Sequence, residues 1–192
     1  MAFDIIKTQV LDKGENMKFN SENRLQEFLG IALVLMGAIL RLLPHPDNFT
    51  PVAAIALFSG VALSPAIALT VPLLVMIVTD MIIGPHPLFL LTWGSFFAVG
   101  LIGVAIKKNA RVGRIFLGSL SGSLLFFIVT NLGVFLFQNM YPKNFSGFFQ
   151  CYWMALPFFR NSLAGDLFFN AVLFGVFAAV KNYSGKLSKT FL

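Results

Sequence analysis

Five apolar stretches occupy most of the chain, and the second is too long to be one membrane helix. They run roughly Glu27–Leu43, Pro51–Ile83, Leu88–Ile106, Val112–Phe137 and Ser162–Val180. As a single helix, Pro51–Ile83 would measure about 50 Å at ~1.5 Å per residue, against a hydrocarbon core of ~30 Å. A break is expected at Leu63-Ser64-Pro65, because proline lacks an N–H and pushes the preceding residue out of helical geometry. The split gives two helices, the first of them short, and hence six spans. Charged residues make up 11% of the chain, against roughly 25% in a soluble domain. A water-facing surface cannot be built from so few, whereas lipid tolerates the composition.

Charge placement tests the count. With six spans and the N-terminus inside, the inner segments hold Lys7, Lys13, Lys18 and Arg24, then Lys107, Lys108, Arg111 and Arg114, then Lys181, Lys186 and Lys189. These are eleven of the 14 Lys and Arg. One span fewer puts the central cluster opposite the tail, so the positive-inside bias favours six spans with both termini cytoplasmic. The net charge of +6 thus follows from topology and not from nucleic-acid binding, for which no basic patch interleaved with aromatics is present. Three segments result: a polar cytoplasmic N-terminal tail over 1–26, a transmembrane domain over 27–181 and a basic cytoplasmic tail over 182–192. The first 26 residues do not read as a signal peptide, and Met17 is an alternative start. Cys151 is the single cysteine, so no intrachain disulfide is expected.

Small residues at four-residue spacing recur in Ala56/Gly60, Gly94/Ala98, Gly118/Gly122 and Ala171/Gly175/Ala179. They let helix backbones approach closely in lipid. Bundle packing explains them, and a docking face for another membrane protein is the alternative. The 23 Phe suit lipid and the bundle interior, and no cofactor is needed to explain them.

The polar residues sort to one face. Three outer segments, Arg41–Thr50, Asp80–Trp93 and Gln138–Asp166, carry both histidines, the cysteine and every acidic residue beyond residue 27. Candidate substrate-binding residues are Arg41, His45, Asn48, Asp80, His86, Trp93, Cys151, Tyr152, Arg160 and Asp166, with Asn131 deeper in the fifth helix. Ionisable groups within spans are costly and face a cavity or a partner. The plain reading is interfacial anchoring with salt bridges such as Arg41–Asp80 or Arg160–Asp166; the functional reading is an outward pocket. Pro44-His45-Pro46 and Pro85-His86-Pro87 hold each imidazole on a stiff turn, and the two are expected to border one cavity. The aromatic segment between Tyr141 and Arg160, interrupted by Gly147 and Pro157, is expected to fold over that pocket as a lid, with an interfacial belt element as the alternative. Asn131 is expected to find hydrogen-bond partners on other helices or on a ligand. No nucleotide-binding, metalloprotease, serine-hydrolase or CxxC pattern occurs. The chain is therefore expected not to be an enzyme, and no metal or cofactor is implied.

Three runs carry a family resemblance: Arg41–Ala53 (RLLPHPDNFTPVA), Phe126–Gly133 (FFIVTNLG) and Cys151–Ser162 (CYWMALPFFRNS). They resemble an uncharacterised bacterial family classed with membrane transport proteins, itself similar to the substrate-binding S components of energy-coupling-factor (ECF) vitamin transporters. The match covers about Arg24 to Val180. The resemblance implies an all-α, six-transmembrane-helix bundle in a bacterial inner membrane, with a loop-lidded substrate pocket near the extracytoplasmic face. It also implies a separate coupling subunit with ATPases, which S components often engage through an Ala-xxx-Ala pattern in the first helix. Here that helix offers Gly30, Ala32, Gly37 and Ala38 without that spacing, which leaves a solitary transporter open. The expected function is uptake of a small, vitamin-like micronutrient. The alternatives are a membrane enzyme with its site at the outer interface and a structural membrane subunit. A cysteine placed at Asn109 should be labelled only from the cytoplasmic side; labelling from the outside would sink the six-span arrangement.

Overall fold

The computed structural model describes residues 24–190, with side chains to residue 183. Met17 and nearly all of the expected tail over 1–26 lie outside the described residues. The described chain forms helices α1 (Arg24–Leu42), α2 (Val52–Ala62), α3 (Pro65–Ile83), α4 (Phe89–Ile106), α5 (Val112–Phe137) and α6 (Phe145–Thr190), with a single 3-10 turn at Lys107–Asn109. No strand occurs among the described residues. Five of the helices are long and apolar enough to cross a membrane, and α2 is not.

The break at Leu63-Ser64-Pro65 falls where proline chemistry puts it. Leu63 is extended at the end of α2, and Pro65 occupies the first position of α3, where its missing N–H costs nothing. The Ser64 N–H donates to Gln26 Oε1 at 2.8 Å, which pins the turn to the start of α1.

The short helix is the centre of the molecule. From Val52 to Gly60 every residue of α2 is buried, a pattern expected of a helix enclosed on all sides. It packs on α3, α4, α5 and α6, and α1 covers it through Leu33 beside Ile55 and Phe58. The chain directions follow from these contacts. Gly30 lies against Ile67 and Gly37 against Val75, so α1 and α3 run parallel. Ala56 lies near Gly100, Gly60 lies against Gly103, and Lys107 Nζ donates to Leu63 O at the ends, so α2 and α4 also run parallel. Both glycines of α1 thus lie against neighbouring helices, Gly30 on α3 and Gly37 on α2 and α3.

At 11 residues, α2 measures about 16 Å. It begins level with Val75 and Phe96, two turns inside the start of α4. The chain from Leu43 to Pro51 therefore descends into the bundle before helix begins. It does so along α6: Asn161 Nδ2 donates to Asp47 O at 3.0 Å, and further down Phe49 packs on Phe168 and Phe169. Gly165 makes room, since a Cβ there would meet Phe49 Cα at 3.3 Å. Asn48 takes a left-handed conformation (φ 61°), which asparagine tolerates better than most residues.

The expectation for the chain between Tyr141 and Arg160 is corrected. From Phe145 onward it is not a loop lid but helix, continuous with the last apolar stretch through Pro157. Asn144 starts it, its Oδ1 accepting from the Gly147 N–H at 2.9 Å, a standard helix cap. Pro157 removes one N–H from a helix of 46 residues, a local cost that packing against α5 outweighs. The basic tail expected over 182–192 is likewise helical as far as Thr190.

The α2–α4 contact is backbone against backbone. A Cβ on Gly103 would collide with Leu57 O and come within 2.9 Å of Gly60 Cα, whereas one on Gly94 meets nothing within 4 Å. Gly103→Ala should therefore destabilise the folded protein by about 1–3 kcal/mol, while Gly94→Ala should be neutral or stabilising by up to about 1 kcal/mol. Thermal unfolding of both variants in detergent checks the order, and equal effects would refute the close approach.

Candidate functional site

The candidate residues separate into two neighbouring groups. The first ties three helices together. Because α1 and α3 are parallel, their carboxyl ends lie side by side, and Arg41 in the last turn of α1 reaches Asp80 in the last turn of α3. Arg41 Nη1 donates to Asp80 Oδ1 at 2.7 Å and also to Thr79 Oγ1. Trp93 Nε1 of α4 donates to Asp80 Oδ2 at 2.8 Å, and His86 Nε2 stands 3.5 Å from the same oxygen. The guanidinium also faces the negative ends of two aligned helix dipoles, which offsets the cost of a carboxylate placed there. Both charges are largely shielded, with side chains 16% and 8% exposed.

Both histidines lie at this end, on the Pro-His-Pro turns. His45 Nε2 is 3.1 Å from Arg41 O and its Nδ1 is 2.9 Å from Pro46 O. His45 and His86 thus flank the Arg41–Asp80 pair; neither lines the cavity described next. The expected Arg160–Asp166 pair is absent among the described residues. Six positions apart on α6, the two side chains point about 120° apart; Arg160 is exposed and Asp166 is buried.

The second group encloses a cavity of about 230 Å³ above the start of α2. Phe126 and Phe127 of α5 and Phe158 and Phe159 of α6 form its walls. Asn48, Asn131, Thr92, Thr130 and Ser162 supply its polar surface. Below it, a space of about 30 Å³ is shared by Asn48, Thr50, Ala53, Ser162 and Asp166. Among the described residues, none that lines the upper cavity is ionisable. The walls are stiffened by ring contacts: Phe96 stacks on Phe126 at 4.9 Å, and Phe127 packs on Phe159 at 4.7 Å. The start of α2 carries no side-chain cap, and Ala53 of its first turn borders the lower space, so the positive end of the helix dipole is directed there.

Asn131 corrects the expectation made for it. Its Nδ2 donates to Phe127 O, one turn back in the same helix, at 2.8 Å, and not to another helix. Its Oδ1 makes no hydrogen bond among the described residues and is left to the cavity. Cys151 and Tyr152 face α5, as a covering segment would require, but they are spent on its backbone. Cys151 Sγ lies 3.5 Å from Asn131 O, and Tyr152 Oη donates to Ile128 O at 2.9 Å. Neither lines the cavity. Sequence reasoning missed Thr92, which links the two groups: it lines the cavity and its Oγ1 is 3.4 Å from His86 Nε2. It also passed over Ser162 and the four phenylalanines, because apolar and hydroxyl residues on membrane helices look alike whether they face lipid or a pocket.

A family model described as a family of unknown function, DUF6580, matches residues 21–187. The chain belongs to the DUF6580 family. No curated protein matches it, and no solved structure does. Membership in DUF6580 carries no assigned activity, so the reading of this site rests on its geometry.

Breaking the Arg41–Asp80 pair on one side leaves a shielded, uncompensated charge. Asp80→Leu should therefore cost about 3–5 kcal/mol, and adding Arg41→Leu should restore part of the loss. A double-mutant cycle on thermal or denaturant unfolding measures it; additive losses would show that the pair is not coupled.

Proposed function

We propose that this DUF6580 chain is a substrate-binding membrane protein of the transport class, taking up a small, uncharged, flat ring compound of vitamin or nucleobase type. The observation that carries the reading is the cavity itself: four phenylalanine rings around two amides and three hydroxyls. Aromatic walls fit a planar ring, and a few fixed polar groups orient it. At about 230 Å³ the space is below the ~300–1,000 Å³ of sites for drug-sized ligands. The absence of ionisable residues in its lining favours a neutral ligand, because a charge without a partner here would be poorly solvated.

In this reading the membrane is the inner membrane of a bacterium, and the chain crosses it six times. The sixth crossing is made by α2 together with the descending Leu43–Pro51 segment. The contacts that put the start of α1 and the Lys107–Asn109 turn at one end of the bundle, together with the eleven basic residues of the inner segments, support both termini being cytoplasmic. The cavity then opens toward the outside. The resemblance to ECF S components supports the same orientation. A separate coupling subunit with ATPases has less support, since Gly30 and Gly37 pack on α3 and α2.

Mass spectrometry of protein purified from its native membrane should find a bound neutral ring compound. Titration of that compound against Asn131→Leu should show binding weakened about 5- to 150-fold, the ~1–3 kcal/mol of an unmatched polar group, with thermal stability kept. Unchanged affinity would remove Asn131 from the site; turnover of the compound without net movement would favour a membrane enzyme.

A further inference from the structure

Among the described residues, Asp166 is the one buried acidic side chain that the Arg41 group does not neutralise. It is 5% exposed and sits below the cavity on α6. No cationic side chain lies within ion-pair distance of it among the described residues. The groups facing it are neutral from every helix packed there: Asn48 and Thr50 before α2, Phe96 of α4, Ser123 of α5 and Ser162 of α6. A bare carboxylate in such a place is costly, and acids within membrane spans mark ion or proton pathways more often than anchors.

The hydrogen bonds around it count protons. Ser123 Oγ lies 2.6 Å from Asp166 Oδ2 and 3.0 Å from Ser119 O. A serine hydroxyl carries one hydrogen, and Ser119 O is a backbone acceptor that can offer none. If Ser123 donates to Ser119 O, the 2.6 Å contact needs its hydrogen on the carboxyl. If Asp166 is ionised, Ser123 must turn its hydrogen to the carboxylate and leave Ser119 O. The two states thus differ by one proton and one hydroxyl rotation, with no rearrangement of the helices. The ionised state has support of its own, because Ala53, in the first turn of α2, lines the space that Asp166 faces and brings the positive end of the helix dipole there. That same positive end disfavours a metal cation.

The geometry points to Asp166 as a proton-exchange site at the floor of the ligand cavity, loading and releasing one proton through the small space it shares with Asn48 and Ser162. This rests on the transport reading above, in which proton exchange would couple uptake of a neutral ligand to a proton gradient.

Infrared difference spectroscopy on the full-length protein in liposomes, without added substrate, tests the site directly. Acidification should raise a protonated-carboxyl band that is lost in Asp166→Asn and shifted in Ser123→Ala. In heavy water the band should move to its deuterated position promptly, as a site open to the cavity requires. A carboxyl that stays in one state across the accessible pH range, or a band that survives Asp166→Asn, would overturn the proposal. So would a band that heavy water leaves in place. Sodium chloride added at constant pH should change nothing; loss of the band with sodium would make this a cation site instead. Because no ligand is used, failure here leaves the ligand-binding titration to stand or fall separately.

Discussion

Inside a lipid layer a backbone N–H or C=O has no water to bond to, so chain without helix must be wrapped in protein or border a cavity. That requirement governs this molecule. Because α2 is only about 16 Å long, the irregular Leu43–Pro51 chain has to lead down to it inside the bundle. The five longer helices stand around it, glycines admit the backbone on two sides, and the space left above the first turn of α2 becomes the cavity.

Much of this was legible in the residues. The break at Ser64-Pro65 is a local steric effect, and the helix boundaries fall on it. Arg41 and Asp80 could be paired on paper because a charge near a membrane helix end needs a partner. The chain over Phe145–Arg160 was misread because Gly147 and Pro157 signal interruption in water-soluble sequences. Here Gly147 is in the capped first turn, and Pro157 costs one bond among many. Asn144 was the available signal, a good helix cap three residues before the glycine whose N–H it accepts.

The site was legible by face but not by residue. Sorting polar side chains to one end of the bundle gathered Asn48, Asn131 and Asp166, which line two adjoining spaces. It also gathered Cys151, Tyr152 and Arg160, whose direction depends on the phase of a helix that the sequence reading had not drawn. The histidines went to the ion pair, because their proline-bounded turns sit above α1 and α3 and not above α2. Thr92 and Ser162 carry no signal in one sequence, since hydroxyls that bond back to their own helix are common in membrane spans.

The backbone contact between α2 and α4 has a mechanical meaning. Two helices touching through Gly60 and Gly103 have no side chains between them to change rotamer, so they shift together or not at all. Interfaces of this kind make one rigid body out of two elements, and the soft seams of the molecule lie elsewhere. The cavity touches that body through Thr92 of α4 and is otherwise walled by α5 and α6. The descending Leu43–Pro51 segment lies where the two meet, its Asn48 lining the cavity and its Phe49 packed on α6.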